Sequence, residues 1–188
     1  DIPMKGILQT SNFARAILNK ETGLIPTGGR RLVSQCGIFE YEGRFVMITD
    51  AAINIAPDVE TQIGIVENVL PVARALGIDC PKVAVLSAVE NVTDKMPSTV
   101  SAKEIAERGV EGCVISGPLA LDGAISMESV KHKAIHDPVA GQADILLVPF
   151  IEIGNVLYKA CTYIAGKTMA STICGASCPV IITSRADT

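Results

Sequence analysis

The chain has 188 residues, of which 48% are hydrophobic, and its formal net charge at pH 7 is −4. A chain of this length can bury a sizeable core, and its acidic balance offers no basic stripe for a phosphate backbone, which argues against nucleic acid as a partner. No apolar run approaches the roughly 18 residues of a membrane-spanning helix, so we expect no membrane partner and assign the apolar residues to the core.

Hydrophobic periodicity predicts helices and strands that alternate along the chain. In chain order, we predict a helix over 11–19 with Ser11 as its N-cap, a hairpin of strands over 32–41 and 44–49, a helix over 58–76, a strand over 83–89, a helix over 102–107, a strand over 113–116, a helix over 127–134, a strand over 144–148, a helix over 155–165 and a strand over 180–183. Such uniformly apolar strands, linked by helices, predict an α/β fold with a mainly parallel sheet covered on both faces. The glycine-rich stretch 23–29 predicts a hinge.

Polar residues follow the predicted strands. They are Asp50 and Asn54, Glu90 and Asn91, the polar members of 117–122 and of 152–155, and finally Ser184 and Arg185. Ligands of parallel α/β sheets bind outside the carboxyl ends of the strands. We therefore expect these groups to lie along one edge of the sheet and to form the functional site.

Three local patterns resemble nucleotide-binding, metal-binding or cysteine-based sites, but each has a simpler structural explanation. Residues 166–168, Gly-Lys-Thr, match the end of a P-loop, but Cys161 stands where the first glycine belongs, and a helix end closed by Gly166 explains them better. His132 and His136 lack the glutamate of a zinc-binding helix, so we predict surface histidines and no metal. Four of the six cysteines lie in apolar segments and are predicted to be reduced core thiols.

Several weak motifs occur in a fixed order, which is more specific than any one of them. They are Met-Lys-Gly at 4–6, Thr-Asp-Ala-Ala at 49–52, Lys-Met-Pro at 95–97, Gly-Pro-Leu-Ala-Leu-Asp at 117–122, Pro-Val-Ala-Gly-Gln-Ala-Asp at 138–144, Gly-Asn at 154–155, Tyr-Lys at 158–159 and Ser-Arg at 184–185. In this series the chain resembles the phosphate acetyl/butyryltransferase family. It looks more like the butyryl branch, because Ala186 follows Arg185 where the acetyl branch more often has glycine.

The resemblance implies two α/β domains around a cleft, a fold related to the decarboxylating dehydrogenases of isocitrate and isopropylmalate. It assigns residues 1–25 to the end of the first domain, 26–179 to the second domain and 180–188 to the return into the first. The chain is then expected to be a fragment of a longer protein, and the resemblance implies a cytoplasmic homodimer.

The reaction implied by the resemblance moves a short or branched acyl group between coenzyme A and inorganic phosphate. The expected partners are acyl-CoA, phosphate and acyl phosphate; coenzyme A is a substrate, and no cofactor is expected. Arg15 and Arg185 match the family's phosphate-binding arginines, whose planar guanidinium suits a phosphate. Ser184 matches a serine that hydrogen-bonds the reacting group. Ser184, Arg185 and Arg15 are therefore the candidate catalytic residues.

Five further residues are candidates for substrate binding: Lys5, Thr10, Ser11, Asp122 and Asn155. The first three flank the start of the predicted helix over 11–19, where unpaired backbone N–H groups favour an anion. The last two either position ligand groups or close turns, and both interpretations stay open. The aspartate that acts on the thiol in the acetyl branch would lie beyond residue 188, and Asp187 is not assigned that role.

Two alternatives to an acyltransferase stay open. A metal-dependent decarboxylating dehydrogenase of the related fold is opposed by the missing nucleotide-binding G-x-G-x-x-G and by the lack of an obvious cluster of magnesium-binding aspartates. A non-catalytic segment that binds acyl-CoA or contributes a dimer surface belongs to another class of function. An assay for phosphate-dependent thiol release separates the three.

Overall fold

Seven strands and six α-helices are formed by the residues that this computed structural model describes, which are 2–19, 21–26 and 32–182. In chain order they are α1 (Thr10–Ile17), β1 (Ser34–Tyr41), β2 (Arg44–Thr49), α2 (Val59–Ala75), β3 (Lys82–Leu86), α3 (Pro97–Arg108), β4 (Val114–Leu119), α4 (Leu121–Ile125), α5 (Met127–Lys133), β5 (Ile145–Leu147), α6 (Ile151–Lys159), β6 (Met169–Cys174) and β7 (Val180–Ile181). A π-helical turn, Ala160–Ile164, follows α6 directly. The predicted α/β alternation is confirmed from β2 to α6.

The described strands form one mixed sheet in the order β4-β3-β5-β2-β1-β6-β7. The strands β4, β3, β5 and β2 are parallel to one another, whereas β2, β1, β6 and β7 alternate in direction. The prediction of a mainly parallel sheet is therefore wrong for half of the sheet. For β1–β2 and β6–β7 the reason is the length of the connections, because residues 42–43 and 175–179 are too few to form a parallel crossover.

The β1–β2 hairpin confirms the turn predicted at residues 42–43. Tyr41 pairs with Arg44, and φ is positive at both turn residues, 50° at Glu42 and 76° at Gly43. Left-handed backbone at both central positions is typical of the type I′ turn, whose twist matches that of the paired strands. Glycine adopts this conformation without steric cost, which explains why two residues suffice to close the loop.

Helices cover both faces of the parallel half, because successive side chains of each strand point to opposite layers. Val83 and Val85 of β3 share one buried cluster with Val66 of α2. Ala84 and Leu86 share a second cluster with buried residues of α4 and α5. Each fully buried aliphatic side chain of this size stabilises the fold by about 1.5–3 kcal/mol. The predicted cover on both faces is confirmed here.

Helix α1 covers the antiparallel end of the sheet. Ile17 of α1 is buried in a third cluster, which also contains Ile173 of β6. The segment before α1 extends the sheet edge, because Met4 pairs in parallel with Ile181 and the Lys5 N–H donates to the Ile181 carbonyl at 2.9 Å. The first described segment of the chain and its last described strand therefore belong to one packed region.

Helices α1, α3 and α6 begin at other residues than the sequence predicted, and α6 starts at Ile151 rather than at 155. Helix α1 starts at Thr10 with Gln9 as its N-cap and without a capping hydrogen bond from a described side chain, so the prediction of Ser11 as the cap is wrong. Helix α3 starts at Pro97 rather than at 102, because proline suits the first helical position, where no N–H partner is needed. Within the described ranges, every helix falls short of the length and apolar character needed to cross a membrane.

Candidate functional site

The carboxyl ends of the four parallel strands meet at one edge of the sheet, where α/β proteins commonly bind ligands. Asp50 follows β2, Ser87 follows β3, Ala120 follows β4 and Val148 follows β5. The polar residues that come after these strands therefore share the edge that the sequence predicted for them.

The predicted pair Ser184 and Arg185 lies outside the described residues. One premise of its prediction is wrong, because β7 runs antiparallel to β6, and β6 has the same direction as β2. The carboxyl end of β7 therefore faces the edge of the sheet opposite to that of β2. The assignment of the pair as catalytic stays a prediction.

A buried carboxylate organises the loop after β2. Asp50 is 2% exposed, and its two oxygens accept four hydrogen bonds: from the N–H groups of Ala52 (2.9 Å), Ile53 (3.1 Å) and Asn54 (3.0 Å), and from the Asn54 side-chain amide (2.6 Å). Burial raises the pKa of the Asp50 carboxyl above its ordinary value, and these hydrogen bonds oppose the rise. The carboxylate is hydrogen-bonded within its own loop, and it therefore holds this part of the site in a fixed conformation.

Two buried polar side chains support the same loop from the sheet. The Gln35 amide oxygen accepts from the Ala51 N–H at 3.2 Å, and its amide nitrogen donates to Ser171 Oγ at 2.7 Å. Thr49 Oγ1 donates to the Gln35 carbonyl at 2.8 Å. Because buried polar groups are costly unless they are paired, these bonds fix the loop against β1 and β6.

Helix α6 begins directly against this loop. A Cβ atom on Gly154 would lie 2.7 Å from the Asp50 carbonyl oxygen and 2.9 Å from Ala51 Cα, so the approach requires glycine. The Asn155 side-chain amide donates to the Ala51 carbonyl at 3.3 Å. The Gly-Asn motif singled out in the sequence therefore joins α6 to the loop after β2.

A cavity of about 560 Å³ opens beside α6 at the carboxyl ends of β3 and β5. Its lining is mostly aliphatic, and its polar groups are the hydroxyls of Ser87 and Ser98, 2.9 Å apart, and the carboxylate of Glu152. Ile153 and Val156, which also line it, are 45% and 68% exposed. The volume lies in the usual range for ligand pockets, but so much exposed apolar surface is also typical of an interface.

Asp122 takes part in a surface cluster of charges. Its carboxylate lies 2.9 Å from Lys133 Nζ, which also lies 3.1 Å from a Glu90 oxygen. The hydrogen bond from Lys133 holds the pKa of the Asp122 carboxyl below its ordinary value. The structure thus gives Asp122 a partner within the chain, and substrate binding by Asp122 stays a prediction.

The remaining predicted residues lie on α1 or just before it. Lys5 is 2% exposed, and its ammonium group donates to the Leu8 carbonyl at 3.5 Å. Thr10 is the first residue of α1, and Ser11 and Arg15 occupy exposed positions of that helix. Ligand binding by these residues stays a prediction, for which the exposed position of Arg15 is favourable.

The loop after β2 links two groups of predicted residues. On one side Ile53 packs against the buried cluster beneath α1, the helix that carries Arg15. On the other side Ala51 accepts the hydrogen bond of Asn155. Asp122 is instead tied to Lys133. The structure therefore brings Arg15 and Asn155 to elements that share one loop.

Three polar residues near this edge were missed by the sequence analysis: Gln35, Ser87 and Ser98. Ser87 had a usable signal, because it directly follows a buried strand, the rule that identified Asp50. Gln35 lies inside β1 and Ser98 in the first turn of α3, where the local sequence does not distinguish them from other polar residues.

The cysteines and the Gly-Lys-Thr sequence contribute no further site. Cys36 and Cys174 are buried, Cys80 is exposed and the other three are half-buried, so the core thiols number two rather than the predicted four. Burial raises the pKa of the Cys113 thiol to about 11. Gly166, which follows the C-cap residue Ala165 of the π-helical turn, has a φ of 62°, which confirms the predicted helix end. The described part of the chain contains no cluster of three or more His, Cys, Asp or Glu residues that could hold a metal.

A solved structure first defines the class of this fold. A branched-chain phosphotransacylase from Enterococcus faecalis V583 superposes with a TM-score of 0.90 and 42% sequence identity, covering 100% of this chain and 68% of that chain. The α/β fold with its mixed sheet is thus similar to that of phosphotransacylases. The chain belongs to the phosphate acetyl/butaryl transferase family, whose sequence pattern matches residues 1–188. The resemblance seen in the ordered motifs is confirmed.

Two curated relatives support this membership. The chain is 47% identical to the phosphate butyryltransferase of Clostridium beijerinckii and 46% identical to that of Clostridium acetobutylicum, in both cases over its whole length. It spans 63% of the length of each relative.

Proposed function

We propose that the complete protein is a phosphate acyltransferase, which converts acyl-CoA and phosphate to acyl phosphate and coenzyme A. The observation that carries this proposal is the 47% identity with a phosphate butyryltransferase along the whole chain. In the reaction a phosphate oxygen forms a bond to the acyl carbon, the carbon–sulfur bond breaks, and coenzyme A leaves as a thiolate. No cofactor is required, since coenzyme A is itself a substrate.

The proposed roles follow from the charge that the reaction develops. Arg15 and Arg185 hold the phosphate through charge-assisted hydrogen bonds, and Ser184 donates a hydrogen bond to the reacting group as negative charge builds on it. The exposed position of Arg15 on α1 supports its part in this proposal.

We propose a short straight or branched acyl group, butyryl or isobutyryl rather than acetyl. Support comes from the relatives, two of which are phosphate butyryltransferases, and from the solved branched-chain phosphotransacylase.

The test is to incubate the complete protein with butyryl-CoA, isobutyryl-CoA or acetyl-CoA and to follow thiol release with and without phosphate. We expect release that requires phosphate and is fastest with a four-carbon acyl group. Release that is absent, or equal without phosphate, would refute the acyltransferase. Acyl-CoA binding without release, measured by calorimetry, would instead identify a non-catalytic acyl-CoA-binding protein.

Arg15→Ala tests the phosphate site. Loss of one charge-assisted interaction is expected to raise the apparent KM for phosphate roughly 10-fold or more, with a smaller effect on the KM for acyl-CoA. Arg108→Ala is the matched control, because Arg108 is an exposed arginine that pairs with Glu60 at 2.6 Å. Equal phosphate KM values for the two variants would remove Arg15 from the site.

We also propose the finer architecture that the family suggests: a two-domain fold like that of the isocitrate and isopropylmalate dehydrogenases, in a cytoplasmic protein. In it, residues 1–25 and 180–188 belong to one domain and 26–179 to the other. The pairing of Met4 with Ile181 supports a shared domain for the two outer segments.

A homodimer is part of the same proposal, with the exposed face of α6 as its contact. Ile153 and Val156 lie on this face beside the apolar cavity, and Ile164 in the following turn is 86% exposed. Two copies related by a two-fold axis could each insert α6 side chains into the other's cavity, as an isologous interface requires. The second copy of the chain would thereby remove the exposed apolar surface of α6 from water.

A further inference from the structure

The loop at residues 50–55, here called the β2–α2 loop, contacts two elements that carry residues of the proposed site. Ile53 packs against the buried cluster that includes Ile17 of α1. Ala51 accepts the Asn155 hydrogen bond at 3.3 Å, and its Cα lies close to Gly154. The loop therefore links the cluster that includes Ile17 of α1 to the start of α6.

The shape of the β2–α2 loop depends on one carboxylate. All four hydrogen bonds that Asp50 accepts come from residues 52–54, and three of them come from backbone N–H groups. A carboxylate presents only acceptors, whereas an asparagine side chain would turn an NH₂ group toward at least one of these donors. Because Asp50 is 2% exposed, water cannot readily replace a lost acceptor.

We infer that Asp50 is a positioning residue for the acyl transfer, which sets the helix that carries Arg15 relative to the helix that carries Asn155. The inference rests on the proposed function for its kinetic consequence. Asp50 itself does not contact the substrate in this scheme; it acts through Ile53 on one side and Ala51 on the other.

The test compares Asp50→Asn with Asp58→Asn in the complete protein. Asp58 is a matched control, because its carboxylate also accepts a backbone N–H, that of Thr61 at 2.8 Å, but at the exposed start of α2. We expect Asp50→Asn to speed amide hydrogen exchange in both 10–17 and 151–159, and to raise the KM for phosphate roughly 10- to 100-fold, as misplaced binding groups do. Because asparagine caps a helix start as well as aspartate does, Asp58→Asn should leave both the exchange in 10–17 and 151–159 and the KM for phosphate unchanged.

Each outcome decides one question. Faster exchange that is confined to the loop in Asp50→Asn, or a phosphate KM that matches the control, would overturn the positioning role. If the unmodified protein shows no phosphate-dependent release, the proposed function fails, and the exchange pattern still decides whether Asp50 links the two helices. Should Asp50→Asn fail to fold, Ile53→Ala serves instead, since it weakens the packing of the loop against the cluster that includes Ile17. Faster exchange in 10–17 but not in 151–159 is then expected, and its absence would refute the link.

Discussion

Gly154 is the residue at which α6 rests on the backbone of the β2–α2 loop. In Gly154→Ala the new methyl group would meet the Asp50 carbonyl oxygen at 2.7 Å, and backbone atoms cannot move aside as a flexible side chain can. We expect the free energy of unfolding to fall by about 1–3 kcal/mol, the usual cost of overpacking, as measured by urea denaturation.

Gly123→Ala is the control for this substitution, because Gly123 also lies in a short helix. A Cβ there would meet the end of the Glu90 side chain at 3.0 Å and Ile135 Cδ1 at 3.1 Å, both of which can shift. The gain in helix propensity, up to about 1 kcal/mol, should then make the variant as stable as the parent or more so. Equal losses in the two variants would contradict the close backbone contact at Gly154.

The ion pair of Asp122 with Lys133 gives a prediction about pH and salt. Since the folded-state pKa of Asp122 lies below its ordinary value, the pair stabilises the fold above the pKa of the unfolded chain, and this contribution is lost as the pH falls through the folded pKa. Asp122→Asn should lower the free energy of unfolding at pH 7 by less than about 1 kcal/mol, because the pair is exposed. The difference from the parent should vanish at acidic pH and in 1 M salt; a difference that persists in both would refute the ionic origin.

At the scale of elements, two substitutions in the turn of the β1–β2 hairpin are expected to affect the free energy of unfolding differently. Gly43→Ala places a side chain on a residue with a φ of 76° and should cost about 1 kcal/mol of unfolding free energy. Glu42→Asn places a residue that tolerates left-handed backbone where φ is 50°, so it should leave stability unchanged or raise it. Thermal unfolding of both variants checks the turn type, and a loss of stability in Glu42→Asn would contradict it.

The sequence predicted those elements whose signal is local. The hairpin and α2 followed from turn chemistry and from apolar periodicity, and both are confirmed. Strand β6 was missed because Met169–Cys174 mixes small and polar residues, and its pairing with β1 is a long-range contact that no local pattern reveals. The same limit applies to the site: the strand-end rule found Asp50, whereas Gln35 acquires its role only when β1 lies beside the loop.

At the scale of the whole molecule, the exposed face of α6 predicts the oligomeric state. Val156→Asp would place a charge in the proposed interface, where it could not be solvated, and should convert a dimer to a monomer in light scattering after gel filtration. Ile7→Asp is the control, because Ile7 is apolar and 93% exposed but belongs to the segment before α1. A dimer that survives Val156→Asp would show that α6 does not form the contact.

The pairing of Met4 with Ile181 also has a consequence during protein synthesis. Until Ile181 has left the ribosome, β6 has no neighbour on its outer side among the described strands and presents unpaired backbone groups. At about 5–20 residues per second, the outer edge of β6 is open for only about a second, whereas the Met4 segment waits roughly ten seconds or longer for its partner strand. The edge at which Met4 and Ile181 pair is thus completed only after nearly all of the described chain has been made.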